Sequence, residues 1–146
     1  MSDPALLDRS PKEVAEALVA IHDPAWLRSV VTYIDRALRK QPLDRLMTLW
    51  GLSAAEAAEL FGVTRQAFSK WLQSGPPVER GPAVAALADA TDALERHLKR
   101  ERIPVVVRRR AEGLDNESLL ELAAAGKYEQ VLAATRSMFD VRRIQP

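Results

Sequence analysis

The stretch GVTRQAFSKWLQ, residues 62–73, sets Thr64, Arg65, Gln66, Ser69, Lys70 and Gln73 around two aromatic residues, Phe68 and Trp71. These polar types suit one chemistry. Arginine donates two hydrogen bonds to a guanine edge in the major groove, and glutamine exchanges two with adenine. Lysine, serine and threonine suit phosphate oxygens. Phe68 and Trp71 lie three residues apart, with Leu72 beside them, so they share one face of a helix. The pattern predicts a helix with two faces: the aromatics anchor it in a core while Arg65, Gln66, Ser69, Lys70 and Gln73 point elsewhere. Thr64 is the predicted N-cap, and a capped helix N-terminus suits a phosphate. Ser53, at the start of the preceding segment, joins Thr64 in the candidate DNA-binding set.

Other reactive patterns are missing from the chain. It has no cysteine, hence no disulfide, thiolate ligand or cysteine nucleophile. His22 and His97 are far apart and neither falls in a metal-ligand spacing; His97, inside ERHLKRER, is expected to face solvent. No glycine-rich phosphate loop, nucleophile elbow or HExxH is present. Carboxylates are scattered over predicted helix surfaces. The expectation is a protein with no catalytic residues, no metal and no cofactor.

The elements that must hold the polar row are helical. Ser53 and Glu56 form a capping box opening the short helix AAEAAEL, and Gly62 sits where a tight turn needs positive φ. Upstream, Ser10 and Pro11 start a helix with Val14, Ala17, Leu18 and Ile21 on one face. Asp23 caps a second from Pro24, which is expected to turn Leu27, Val30, Val31, Ile34 and Leu38 inward and to end at KQP. A short helix from Pro42 follows, with Leu43, Leu46, Met47 and Trp50 as its stripe. Downstream, SGPPVERGP reads as loop. A long helix is predicted from Pro82 to about Arg100, its Val84, Leu87, Thr91, Leu94 and Leu98 packing against its own domain. The run RIPVVVRRR leaves strand and helix open; three valines favour a strand, but without a pairing partner a short helix from Pro104 fits better. LDN offers two caps for a helix over Glu117–Ala125, and Gly126 stops it. The last predicted helix, Lys127–Phe139, carries Tyr128, Val131, Leu132, Thr135, Met138 and Phe139 on one face. The tail VRRIQP lacks a continuing stripe and is expected to be mobile or partner-bound.

Two segments of these elements resemble known families. LSAAEAAELFGVTRQAFSKWLQSG resembles the Xre/Cro-type helix–turn–helix, matching it at Ser53, Glu56, Ala58, Gly62, Val63, Thr64, Phe68 and Trp71. Ala54 stands where that family often has a phosphate-contacting glutamine, and Leu72 where a glutamate often follows the tryptophan. RRRAEGLDNESLLELAAAGKYEQVL is similar to the toxin-binding region of ParS/MbcA-type antitoxins, through Leu114, Ser118, Leu120, Glu121, Leu122, Gly126, Val131 and Leu132. There Asn116 replaces a glycine and Leu119 a proline. The resemblance implies a complex with a RES-type toxin that consumes NAD, a C-terminal segment that blocks the toxin's active site, and repression of the shared promoter. It makes Arg108, Arg109, Arg110, Asn116 and Ser118 the candidate partner-binding residues. The arginine cluster, with Lys99, Arg100 and Arg102 nearby, also reads as a solvated helix end or a second phosphate contact.

Composition bounds the rest. At 146 residues, 47% hydrophobic and 28% charged, the chain is expected to fold as an all-α bundle containing a helix–turn–helix, with extra N- and C-terminal helices. The expected divisions are 1–41 (core cover or dimerisation), 42–80 (DNA binding), 81–102 (connecting helix) and 103–146 (toxin binding). A net charge of +1 supplies no global field for nucleic acid, so DNA binding must rest on a local patch. MSDPALLDRS lacks a signal peptide's regions, which leads to an expected cytoplasmic location. The leading expectation is a homodimeric, antitoxin-like DNA-binding repressor. A stand-alone repressor with no toxin partner is the first alternative. A protein–protein adaptor with a degenerate helix–turn–helix is the second.

Overall fold

The computed structural model describes residues 8–140. Among them are eight α-helices: α1 Pro11–Ile21, α2 Pro24–Trp50, α3 Ala54–Phe61, α4 Arg65–Ser74, α5 Gly81–His97, α6 Ile103–Arg108, α7 Leu119–Ala124 and α8 Tyr128–Met138. Three short 3₁₀ turns, 78–80, 100–102 and 112–114, link them. The fold is all-α, and the only β pairing among the described residues is an isolated bridge between Ala111 and Glu117. The chain divides into two compact units, one up to Arg36 and the other from Ala37 onward.

In the first unit, Ser10 caps α1 through a reciprocal capping box with Glu13. Asp23 accepts the Trp26 N–H at 2.8 Å at the start of α2, and His22 stacks on Trp26 at 3.6 Å between ring centroids. No described residue before Leu43 is buried. The apolar residues expected to turn inward do not: Leu27 and Val30 are half-buried, while Val31, Ile34 and Leu38 are 65%, 54% and 63% exposed. Helical periodicity identifies a face but not what covers it.

A second departure lies at Pro42. The expected break at KQP and fresh start at Pro42 are absent, and α2 runs unbroken through this proline. A proline inside a helix removes one N–H donor and crowds the preceding turn. Here the turn after it is fixed by Leu43, Leu46, Leu49 and Trp50, all buried, and that burial outweighs a single lost bond.

In the second unit the core joins these four residues to Phe61 and Phe68, to Leu87 and Leu94 of α5, and to Leu119 and Val131. α5 packs along α8. Trp50 is fully buried, and its indole N–H donates to the Thr91 hydroxyl at 3.0 Å, which donates in turn to the Leu87 carbonyl at 2.7 Å. The chain Trp50–Thr91–Leu87 leaves no buried side-chain donor unmatched there. At the surface Arg45 pairs with Asp92 and Glu95. α5 stops at His97, short of the expected Arg100. His97 is exposed, as expected, although its ring stacks on Phe139 at 4.3 Å. The VVV run is helical in α6, started by Pro104 at the first turn. Met138, expected on the buried face of the last helix, is 38% exposed. The tail VRRIQP lies outside the described residues.

Candidate nucleic-acid interface

The helix–turn–helix is built by local rules. Ser53 accepts the Glu56 N–H at 3.1 Å while Glu56 accepts the Ser53 N–H at 3.2 Å, closing the capping box of α3. Gly62 follows with φ +65°, and a Cβ there would meet nothing within 4 Å. Glycine is therefore required by backbone conformation, not by space. Thr64 starts α4 by accepting the Ala67 N–H at 3.1 Å. The angle between the helices is set by aromatic contacts: Phe61 lies 6.1 Å from Phe68 and meets Trp71 edge-on at 5.6 Å. Phe68 is fully buried, and the Arg80 guanidinium lies over the Trp71 ring at 5.5 Å.

With that face fixed, Thr64, Arg65, Gln66, Ser69, Lys70 and Gln73 are all exposed. Arg65, Gln66, Ser69, Lys70 and Gln73 line one open concavity together with Ala54. The exposed Ser53 and Thr64 spend their hydroxyls on the caps. In the preceding helix α3, Glu56 is paired by the sequence-distant Arg108 at 3.2 Å. The Ser53 backbone N–H, and then Arg108, hold the Glu56 carboxyl below the usual carboxylate range.

The candidate partner-binding residues do not form one surface. Arg108 turns back into the body: its guanidinium donates to the carbonyls of Trp50 at 2.7 Å, Gly51 at 2.8 Å and Pro104 at 3.0 Å. Sequence reading could not find this, since the partners of Trp50 and Gly51 lie 58 and 57 residues away. Ser118 is buried and caps α7, accepting the Glu121 N–H at 3.0 Å. This makes Ser118 the cap in place of Asp115 or Asn116, and it moves the start of α7 from the expected Glu117 to Leu119. Arg110 grips Glu121 through two N–H groups, at 3.0 and 2.6 Å. Arg109 and Asn116 remain exposed. Asp115 and Asn116 both take left-handed backbone, at φ 53° and 62°. That conformation explains why a glycine suits position 116 equally well. We expect Asn116→Gly to change stability by under about 1 kcal/mol, whereas a β-branched Asn116→Val costs about 1–2 kcal/mol. Thermal melts of the two variants compare them directly, and equal melting temperatures would contradict the assigned turn.

Beside this turn is a groove that no sequence motif marks. Ala111, Gly113 and Leu114 line one side, with Gln130, Ala134 and Met138 of α8 opposite. Its signal was faint: small residues on the outer side of an amphipathic helix.

Glu121 is held low by Arg110 first and then by the Ser118 backbone N–H. Since Glu56 and Glu121 titrate lower in the folded protein, their contribution is complete above the ordinary value near 4.5. It is lost as pH falls through the depressed values. Melting temperature should therefore decline on acidification below about pH 5, with a shallower decline in Glu56→Gln and Glu121→Gln. Parallel pH profiles in wild type and variants would contradict this.

Among the described residues no cluster of His, Asp or Glu is arranged to hold a metal ion, and no helix is long and apolar enough to cross a membrane. No protein-family model matches the chain, and no curated protein matches it. Among solved structures, it is similar to a chain of the M. tuberculosis MbcT–MbcA toxin–antitoxin complex. The TM-score is 0.55 at 21% identity, covering 68% of this chain and 91% of that one. At that identity the likeness is one of fold: this chain shares the architecture of a component of a toxin–antitoxin complex.

Proposed function

We propose that the protein is an antitoxin-like DNA-binding regulator that represses its own promoter and neutralises a RES-type toxin, acting as a cytoplasmic homodimer with no catalysis of its own. The observation that carries the DNA-binding part is the two-faced α4. Its aromatics are locked into the core while Arg65, Gln66, Ser69, Lys70 and Gln73 share one exposed concavity. Such a helix enters a major groove with its first turn against base edges. The shared fold with a component of a toxin–antitoxin complex supports the toxin partner. Arg109, Asn116 and the groove between the 111–114 turn and α8 are the surface we assign to it. Ser118 supports that surface by capping α7, while Arg108 is spent on Trp50, Gly51 and Pro104.

The test is a mobility shift on the fragment upstream of the protein's own gene. Arg65→Ala and Gln66→Ala are each expected to weaken specific binding by about 1–3 kcal/mol with the melting temperature unchanged. Wild-type affinity should fall steeply with salt. Normal promoter affinity in both variants would remove α4 as the reading helix. For the toxin part, co-purification with a RES-domain protein encoded beside it is the corresponding measurement, and wild-type affinity in an Arg109→Glu, Asn116→Arg variant would remove the assigned surface.

A further inference from the structure

The N-terminal half of α2 carries an apolar stripe that the described residues leave largely open. Val31, Ile34 and Leu38 are 65%, 54% and 63% exposed, and Leu27 is half-buried. These four positions step by four, three and four residues, which is the spacing of a helix–helix seam. No described residue in α1, or in α2 before Leu43, is buried. These helices thus have only partial apolar cover among the described residues, and isolated helices are marginal without packing.

The stripe is symmetric about a point between Thr32 and Tyr33. Val31 and Ile34 flank that point equally, and so do Leu27 and Leu38. Reversing the helix therefore lays Val31 on Ile34 and Leu27 on Leu38. A charge pair on the flank of the stripe is matched in the same antiparallel arrangement, offset by two residues. Arg28 and Asp35 are exposed, lie seven residues apart and fall on the same edge of the stripe. In an antiparallel pair Arg28 of one helix comes beside Asp35 of the other, at both ends. A two-fold contact demands this self-complementarity, in which residue i meets j and j meets i. A foreign partner would have no need of it.

We propose that residues 27–38 of α2 pair with the same segment of a second copy of this chain, antiparallel and about a two-fold axis between Thr32 and Tyr33. This rests on the dimeric part of the reading above and names its surface. The paired segment shares no residue with the concavity of α4, so oligomeric state and DNA reading are tested by separate mutations.

The experiment measures the solution mass of the full chain by light scattering and its dissociation constant by sedimentation. The wild type is expected to be a dimer. Ile34→Glu, at an exposed position, should weaken it by at least about a hundredfold while helicity stays unchanged. Arg28→Asp alone and Asp35→Arg alone each place like charges together twice and should weaken it by about tenfold. The double variant should recover the wild-type constant, because the pair is restored in reversed order. A monomeric wild type would overturn both the dimeric reading and this interface. A dimer indifferent to Ile34→Glu would overturn the interface alone, placing the contact elsewhere. Dissociation by Ile34→Glu without recovery in the charge-swapped double variant would overturn the antiparallel register.

Discussion

Trp71→Ala is expected to unfold the second unit, and with it to abolish the proposed DNA binding, with every exposed side chain of α4 chemically unchanged. Trp71 is 7% exposed, meets Phe61 edge-on at 5.6 Å, lies 6.0 Å from Phe68, and carries the Arg80 guanidinium over its ring. Truncating a buried aromatic costs about 3–5 kcal/mol, against a total of about 5–15 for a typical domain. Arg80 also donates to the Phe61 carbonyl at 3.0 Å, so the loss of the ring loosens a group that holds the end of α3. Circular dichroism melts measure the effect, and the contrast with Arg65→Ala separates the two faces. A Trp71→Ala protein that melts like the wild type but fails to bind DNA would show the ring acting at the interface, contrary to its place in the core.

Arg108→Ala should be the most damaging change in the arginine cluster, at about 2–4 kcal/mol. One guanidinium serves the carbonyls of Trp50, Gly51 and Pro104 and pairs with Glu56, and hydrogen bonds from a charged donor contribute about 1.5–3 kcal/mol each where they are not replaced by water. The side chain is 36% exposed, so water recovers part of the loss. Arg108→Lys keeps the charge without the planar fork and should restore less than half. Arg109→Ala, whose side chain is exposed, should stay within about 0.5 kcal/mol of wild type. Urea titrations of the three variants give the comparison. Equal losses at Arg108 and Arg109 would mean that the carbonyl contacts contribute nothing.

These contrasts mark how far the sequence carries. Ser53, Glu56, Gly62 and Thr64 were legible because capping boxes and left-handed turns are decided within four residues. Phe68 and Trp71 were legible because helical spacing separates a buried face from an open one. α6 was legible by exclusion, as a strand there lacked a mate. What failed depended on distant parts of the chain. Pro42 signals a break, yet the buried Leu43 and Leu46 carry the helix through it. Val31, Ile34 and Leu38 look like core residues, yet no described neighbour covers them. Arg108 reads as one of three equivalent arginines until the fold brings Gly51 beneath it. Gly51 itself adopts φ +66°, and a Cβ there would press against Pro104 at 3.3 Å.

The ties at the end of α3 bear on how this molecule is dismantled. The Leu60 carbonyl accepts from the Tyr128 hydroxyl at 3.2 Å and the Phe61 carbonyl from Arg80, while Phe61 and Tyr128 stack at 6.2 Å. The segment 42–80 is consequently no detachable cassette. Excised from the chain, it would lose the Tyr128 contact and the packing from α5, α7 and α8 that buries Leu43, Trp50 and Phe61. Cleavage of the loop before α8 is therefore expected to loosen α4 as well, some fifty residues upstream, through the Tyr128 contacts to Leu60 and Phe61.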